Sequence, residues 1–162
     1  MAKRFLTIVA VVLLVLCGAD YRAVTAPQPA GARDIELAEG WKLASADRLG
    51  ATGSTISAAA YDDSAWVPIT RMPGTVLGIL QEADVYPNLY YGMNLLTEVP
   101  QDLYRKDWWY RVTFTAPADY RTYRLDFGGI NYRAEIWLNG NRVADSDRIV
   151  GMYTRHDIDV TA

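Results

Sequence analysis

Residues 123–144 constrain the fold of this chain more than any other stretch. Tyr123, Leu125 and Phe127 alternate with Arg124 and Asp126, the period-two pattern of a strand with one buried face, and Gly128-Gly129 then break the pleat. Ala134, Ile136 and Leu138 resume the alternation, and Asn139-Gly140 follows. A two-residue type I′ turn needs positive φ at both central positions, which Asn and Gly reach at little cost, so Asn139-Gly140 is a strong hairpin signal. The turn sets the register: Leu138 opposite Asn141, Trp137 opposite Arg142 and Ile136 opposite Val143. Ile136 and Val143 then face the core, and a guanidinium lies beside an indole on the other face.

Short strands dominate the rest. Residues 35–37 and 41–43 flank Glu39-Gly40 as a hairpin candidate, residues 44–60 form a weakly patterned excursion of small side chains, and residues 67–69 read as a short strand. Thr75 is placed to cap one short helix in which Val76, Ile79, Leu80 and Ala83 share a face. Residues 108–114 alternate as a strand with Tyr110, Phe114 and one of Trp108 and Trp109 in the core, stopping before Pro117. Strands at intervals of about ten residues, separated by turn signals, imply an all-β protein, a β-sandwich with one short helix. His156 falls in the last of them and reads as a surface residue of that strand.

The N-terminus has the marks of an export signal. Lys3 and Arg4 precede a twelve-residue apolar run over residues 5–16, and Cys17-Gly18-Ala19 offers small residues for cleavage. The run is short for a membrane span. Residues 1–19 are therefore read as a signal peptide, residues 20–34 as a flexible Ala/Pro-rich leader, and residues 35–162 as one domain, with a secreted or periplasmic destination. Lipidation of Cys17 is the competing reading, disfavoured by Leu16 where a small residue is wanted. Cys17 is the only cysteine, so the mature domain would hold together without a disulfide. Cleavage takes two basic residues and no acidic one from a chain of 16 basic and 19 acidic residues, leaving a net charge near −5. That balance argues against nucleic acid or an anionic membrane surface as partner.

No catalytic constellation is evident. The single His156 lacks companions for a metal set, Asp145, Asp147, Asp157 and Asp159 lack the ligand count of a calcium loop, and phosphate-binding glycine loops and nucleophile elbows are missing, so neither cofactor nor metal is expected. Seven aromatic residues do fall within residues 86–110. Sugar rings present C–H faces that pack on aromatic rings and hydroxyls that need planar hydrogen-bonding partners. Tyr90, Tyr91 and Asn94 lie in a Pro-, Gly- and Asn-containing segment, which favours a loop over a ladder.

The sequence Gly128-Gly129-Ile130-Asn131-Tyr132-Arg133-Ala134-Glu135-Ile136-Trp137-Leu138-Asn139-Gly140 resembles a segment of the N-terminal sugar-binding domain of glycoside hydrolase family 2. Met72-Pro73-Gly74-Thr75, Tyr90-Tyr91-Gly92-Met93-Asn94, Trp108-Trp109-Tyr110-Arg111 and Tyr153-Thr154-Arg155-His156-Asp157 fit the same pattern in order. The wording is most similar to the exo-β-D-glucosaminidase and β-mannosidase branch. The resemblance implies a jelly roll, galactose-binding-like, that ends here before its last strand or strands, and an enzyme whose two catalytic glutamates lie on a barrel beyond this chain. It also implies a substrate-binding role for Tyr90, Tyr91, Asn94 and Asn131 at the rim of a pocket for a β-glucosaminide or β-mannoside. Asn131 stands where β-mannosidases often carry Asp, which favours the glucosaminide. A stand-alone carbohydrate-binding module and a structural adhesion sandwich are the alternatives.

Overall fold

A computed structural model describes residues 5–10 and 31–161. Its spine is β4 (Trp108–Thr115), whose alternation puts Trp108, Tyr110 and Val112 into the main core and turns Trp109 and Arg111 to the opposite side. The hydroxyl of Tyr110 donates to Gly74 O at 3.4 Å, and burial pushes its phenol pKa well up. On one side β4 pairs with β2 (Lys42–Ser45), which pairs with the two-residue β3 (Val67–Pro68). On the other side lies β1 (Phe5–Ala10), then β6 (Ile136–Leu138) and β7 (Asn141–Ala144), giving the order β3-β2-β4-β1-β6-β7. A two-stranded antiparallel sheet of β5 (Arg124–Phe127) and β8 (His156–Asp159) adds Leu125 and Ile158 to the same core. The architecture is that of an all-β sandwich.

The hairpin forms as its sequence demands. Asn139 and Gly140 have φ of 48° and 87°, and Leu138 faces Asn141 and Trp137 faces Arg142. The Arg142 guanidinium sits 5.8 Å from the Trp137 ring centroid. The expected Ile136–Val143 pairing is corrected: an irregularity between Ile136 and Trp137 pairs Ile136 with Ala144, so Ala144 is buried while Val143 is only partly so. An extra residue on one strand does this wherever local twist must sharpen.

Other expectations need adjustment. Residues 35–37 form no strand; the chain bends at Glu39-Gly40 and Trp41 Nε1 donates to Leu37 O at 2.6 Å, so a side chain closes the turn that a ladder was expected to close. The helix after Thr75 is α2 (Val76–Glu82), capped as foreseen by Thr75 Oγ1 accepting from Gly78 N, with Val76, Ile79 and Leu80 buried. It has company in α1 (Gly53–Ile56) and α3 (Asn94–Thr97), each a single turn too short to show helical periodicity. His156 is not a surface residue. It lies on the inward parity of β8 with Ile158, is 9% exposed, and its buried Nε2 finds no hydrogen-bond partner among the described residues. The alternation was right and its phase was reversed, because Asp157 and Asp159 take the outer face. There Arg124 bonds Asp157 through both carboxylate oxygens, at 2.7 and 2.8 Å, and Arg155 grips Asp126 in the same way.

Residues 1–19 were expected to stand outside the fold, yet the backbone of Phe5–Ala10 is β1, inside the larger sheet. Cys17 and most of the leader lie outside the described residues; residues 31–34 are exposed and irregular.

Candidate functional site

The excursion expected over residues 44–60 starts after β2, which takes Ala44 and Ser45, and with the residues up to Trp66 it covers the second face of the larger sheet. Ile56 and Trp66 are buried there against Trp109 and Trp137, and Gly53 lies so close to the Trp137 indole that a Cβ would collide with the ring. Ser57, fully buried, accepts from Gly140 N at 2.9 Å and ties the excursion to the hairpin turn. Arg111 fastens the other end. Its guanidinium, in a residue 2% exposed, donates to Ile56 O at 3.0 Å, Ala58 O at 3.1 Å, Thr113 Oγ1 at 3.3 Å and the carboxylate of Asp63, and stands 5.6 Å from the Tyr61 ring centroid. Lys42 Nζ reaches the other oxygen of Asp63 at 2.5 Å.

An open cavity of about 290 Å³ lies over these groups, lined by Gly40, Lys42, Tyr61, Asp63, Arg111 and Thr113. Both oxygens of Asp63 and the guanidinium are already engaged, so the cavity has an aromatic wall but few free polar partners. No group of three or more potential metal ligands exists among the described residues.

The sequence-predicted contact residues lie on two separate segments, and Asn94, expected in a loop, opens α3. Tyr90, Tyr91 and Asn94 belong to a segment anchored by the buried Leu89 and turned at Asn88 and Gly92, whose φ angles are 56° and 55°. Short polar side chains and glycine tolerate that left-handed conformation. Asn94 Nδ2 donates to Asn88 O at 2.9 Å, so Asn94 braces the loop. Tyr90 and Tyr91 are 82% and 79% exposed, and Met93 and Leu96 beside them are exposed as well. The bracing thus holds a run of apolar surface out to solvent, the kind of patch that marks a contact site.

Asn131 belongs to another segment of the chain, and among the described residues no hydrogen bond or ring contact joins it to that loop. Its peptide bond to Tyr132 is cis. A bridge between Arg133 and Val150, with Ala134 N donating to Ile149 O at 3.1 Å and Gly151 N donating to Tyr132 O at 2.9 Å, brings the segment after the Gly-Gly break against residues 149–151. On these two paired segments Tyr132, Met152 and Tyr153 are exposed, the last at 81%, and Asn131 is half-buried. Tyr153 has φ 59°, an unfavourable conformation for a bulky residue that costs on the order of 1–3 kcal/mol. Sequence reasoning missed these three. Tyr153 follows Gly151-Met152 in a stretch with no turn signature that would have raised it above an ordinary strand residue.

Residues 41–162 match the family model described as glycosyl hydrolase 2 galactose-binding domain-like. An exo-beta-D-glucosaminidase from Amycolatopsis orientalis is 36% identical over 110 residues, 67% of this chain and 10% of that protein. A mannosylglycoprotein endo-beta-mannosidase from Lilium longiflorum is 31% identical over 134 residues, 77% of this chain and 13% of its own length. The crystal structure of an exo-chitosanase from Amycolatopsis orientalis superposes with a TM-score of 0.70 at 31% identity, over 76% of this chain and 14% of that one. This chain therefore spans only a small fraction of the proteins it resembles. It belongs to the galactose-binding-like N-terminal domains of glycoside hydrolase family 2.

Proposed function

We propose that this chain is the non-catalytic, exported sugar-contact domain of a glycoside hydrolase acting on a β-glucosaminide, and that its two exposed aromatic loops form part of the rim of a pocket completed by another part of the polypeptide. The glucosaminidase names among its relatives support the substrate class, and Asn131 keeps glucosaminide ahead of mannoside. The observation that carries the proposal is the exposure of Tyr90 and Tyr91 on a loop braced by Asn94 and Leu89, aromatic surface covered by nothing among the described residues. Tyr132 and Tyr153 extend the contact surface on the segments that the bridge between Arg133 and Val150 pairs. The basic residues Lys3 and Arg4 and the apolar run after them support export.

The test is an NMR titration of the isotope-labelled chain with glucosamine and chitobiose. The proposal expects small, unsaturated shifts at residues 90–94 and 131–132, reduced by Tyr90→Ser with Tyr91→Ser. Shifts centred on Tyr61 and Thr113, with none at the two loops, would refute it and move recognition to the cavity, as in a stand-alone binding module.

A further inference from the structure

The position of β1 in the larger sheet carries an inference independent of sugar binding. Six residues pair antiparallel with β4, from Phe5 opposite Thr115 to Ala10 opposite Tyr110, and three of them pair at the same time with β6: Ile8 with Leu138, Val9 with Trp137 and Ala10 with Ile136. Among the described residues, the other ladder partner of β4 is β2 and that of β6 is β7. Without an occupant, the order would fall into β3-β2-β4 and β6-β7, leaving two facing rows of unpaired backbone groups. Such edges bind an extended segment through the ladder itself, with selectivity set by the alternate positions of the floor.

That floor is apolar on the core side. Tyr110, Val112, Ile136 and Leu138 are buried, and Phe114 is partly so. The register puts Leu6, Ile8 and Ala10 across from this set, whereas Thr7 and Val9 lie across from Thr113 and Arg111. The apolar residues that the floor requires at alternate positions are thus supplied by the run read above as an export signal. A segment cannot be a central strand and also enter an export channel. Its connection to the next described residue, Gly31, passes through 20 residues, long enough that the ladder and not the tether must hold it.

We propose that the gap between β4 and β6 is a strand-acceptor site for an extended apolar hexapeptide, whose ligand in this chain is Phe5–Ala10, held by backbone pairing and exchangeable with a free strand of the same pattern. Folding of the domain and export by this segment then compete for the same six residues.

The experiment uses the whole chain, produced without export, with a site-specific protease sequence placed within residues 20–30. After cutting, the N-terminal fragment should co-elute with the remainder on gel filtration. A lysine-flanked synthetic peptide of residues 5–10, in about tenfold excess, should displace it at one per chain, and the same peptide with Ile8→Pro, which lacks a ladder donor, should not. Separation of the fragment on cutting with unchanged amide exchange in β4 and β6 would overturn the proposal, as would equal displacement by the proline peptide. In the uncut chain, Ile8→Pro should lower amide protection at residues 110–115 and 136–138 by about tenfold or more, locally or with the whole domain. Unchanged protection would also overturn it. Neither readout involves a sugar, so failure here leaves the carbohydrate proposal standing and the converse holds.

Discussion

Removing Asp63 isolates the energetics of the second face. Arg111 is 2% exposed and its charge is balanced by Asp63, whose side chain is 18% exposed and also receives Lys42. Asp63→Ala leaves a guanidinium surrounded by neutral acceptors, the carbonyls of Ile56 and Ala58 and the hydroxyl of Thr113. Losing one partner of a buried pair costs about 3–5 kcal/mol, and the remaining acceptors and the opening over Asp63 bring the expectation to about 3 kcal/mol. Arg111→Met removes the charge but leaves the two carbonyls short of donors, at about 1–3 kcal/mol each if they stay dry. The double variant Asp63→Ala with Arg111→Met should cost less than the sum of the separate losses by about 1–3 kcal/mol, because without Arg111 the loss of Asp63 strands no guanidinium.

Urea denaturation followed by tryptophan fluorescence reads this directly, since Trp66, Trp109 and Trp137 lie in the same cluster. With a urea dependence of about 1–3 kcal/mol per molar, Asp63→Ala should lower the midpoint by about 1 M or more. A loss below about 1 kcal/mol, the range of surface pairs, would refute the argument, as would strict additivity of the two single variants.

The orphaned Nε2 of His156 makes His156→Phe neutral to about 1 kcal/mol stabilising in the same assay, since an apolar ring removes a buried unsatisfied nitrogen; a loss above about 2 kcal/mol would mean that nitrogen has a partner in solution. Tyr153→Gly should leave stability unchanged or raise it by up to about 1 kcal/mol, because glycine relieves the strain at φ 59° at the cost of chain entropy, and clear destabilisation would contradict the strained reading. Hydrogen bonds from Arg124 hold the Asp157 carboxyl below its ordinary 3.8, those of Thr161 do the same for Asp159, and Lys106 does so for Asp102. Folded-state values below the unfolded one stabilise above pH 3.8 and lose that contribution as pH falls through the lowered values. The melting temperature should therefore drop below about pH 4, less steeply in Asp157→Asn, and a flat profile down to pH 2 would count against these pairs.

The elements legible in the sequence are those where local chemistry and tertiary demand agree. Asn139-Gly140 had to turn, Thr75 had to cap, and Trp108, Tyr110 and Val112 had to share a face. What escaped depends on what lies across the sheet. Arg111 is a charged residue on the strand face opposite the main core, and its burial follows from the 46–66 excursion, whose small residues carry no periodicity. His156 has the correct alternation, but a histidine among aspartates does not reveal which phase is inward. The bulge at Ile136 shifts one pair without a glycine to announce it. Within the candidate site, Tyr90, Tyr91 and Asn94 were legible because proline, glycine and asparagine marked their loop. Tyr132 and Tyr153 were not, since the pairing of their segments rests on a single bridge between Arg133 and Val150.

An isothermal calorimetric titration with chitobiose, run beside a reducing-sugar assay on chitosan, bears most directly on the claim that this domain supplies the rim of a pocket completed elsewhere. A rim that lacks the rest of its pocket should bind with a dissociation constant no tighter than about 1 mM, near −4 kcal/mol, and release no sugar. Micromolar affinity, or hydrolysis by the chain alone, would contradict the claim and make this domain a self-sufficient site.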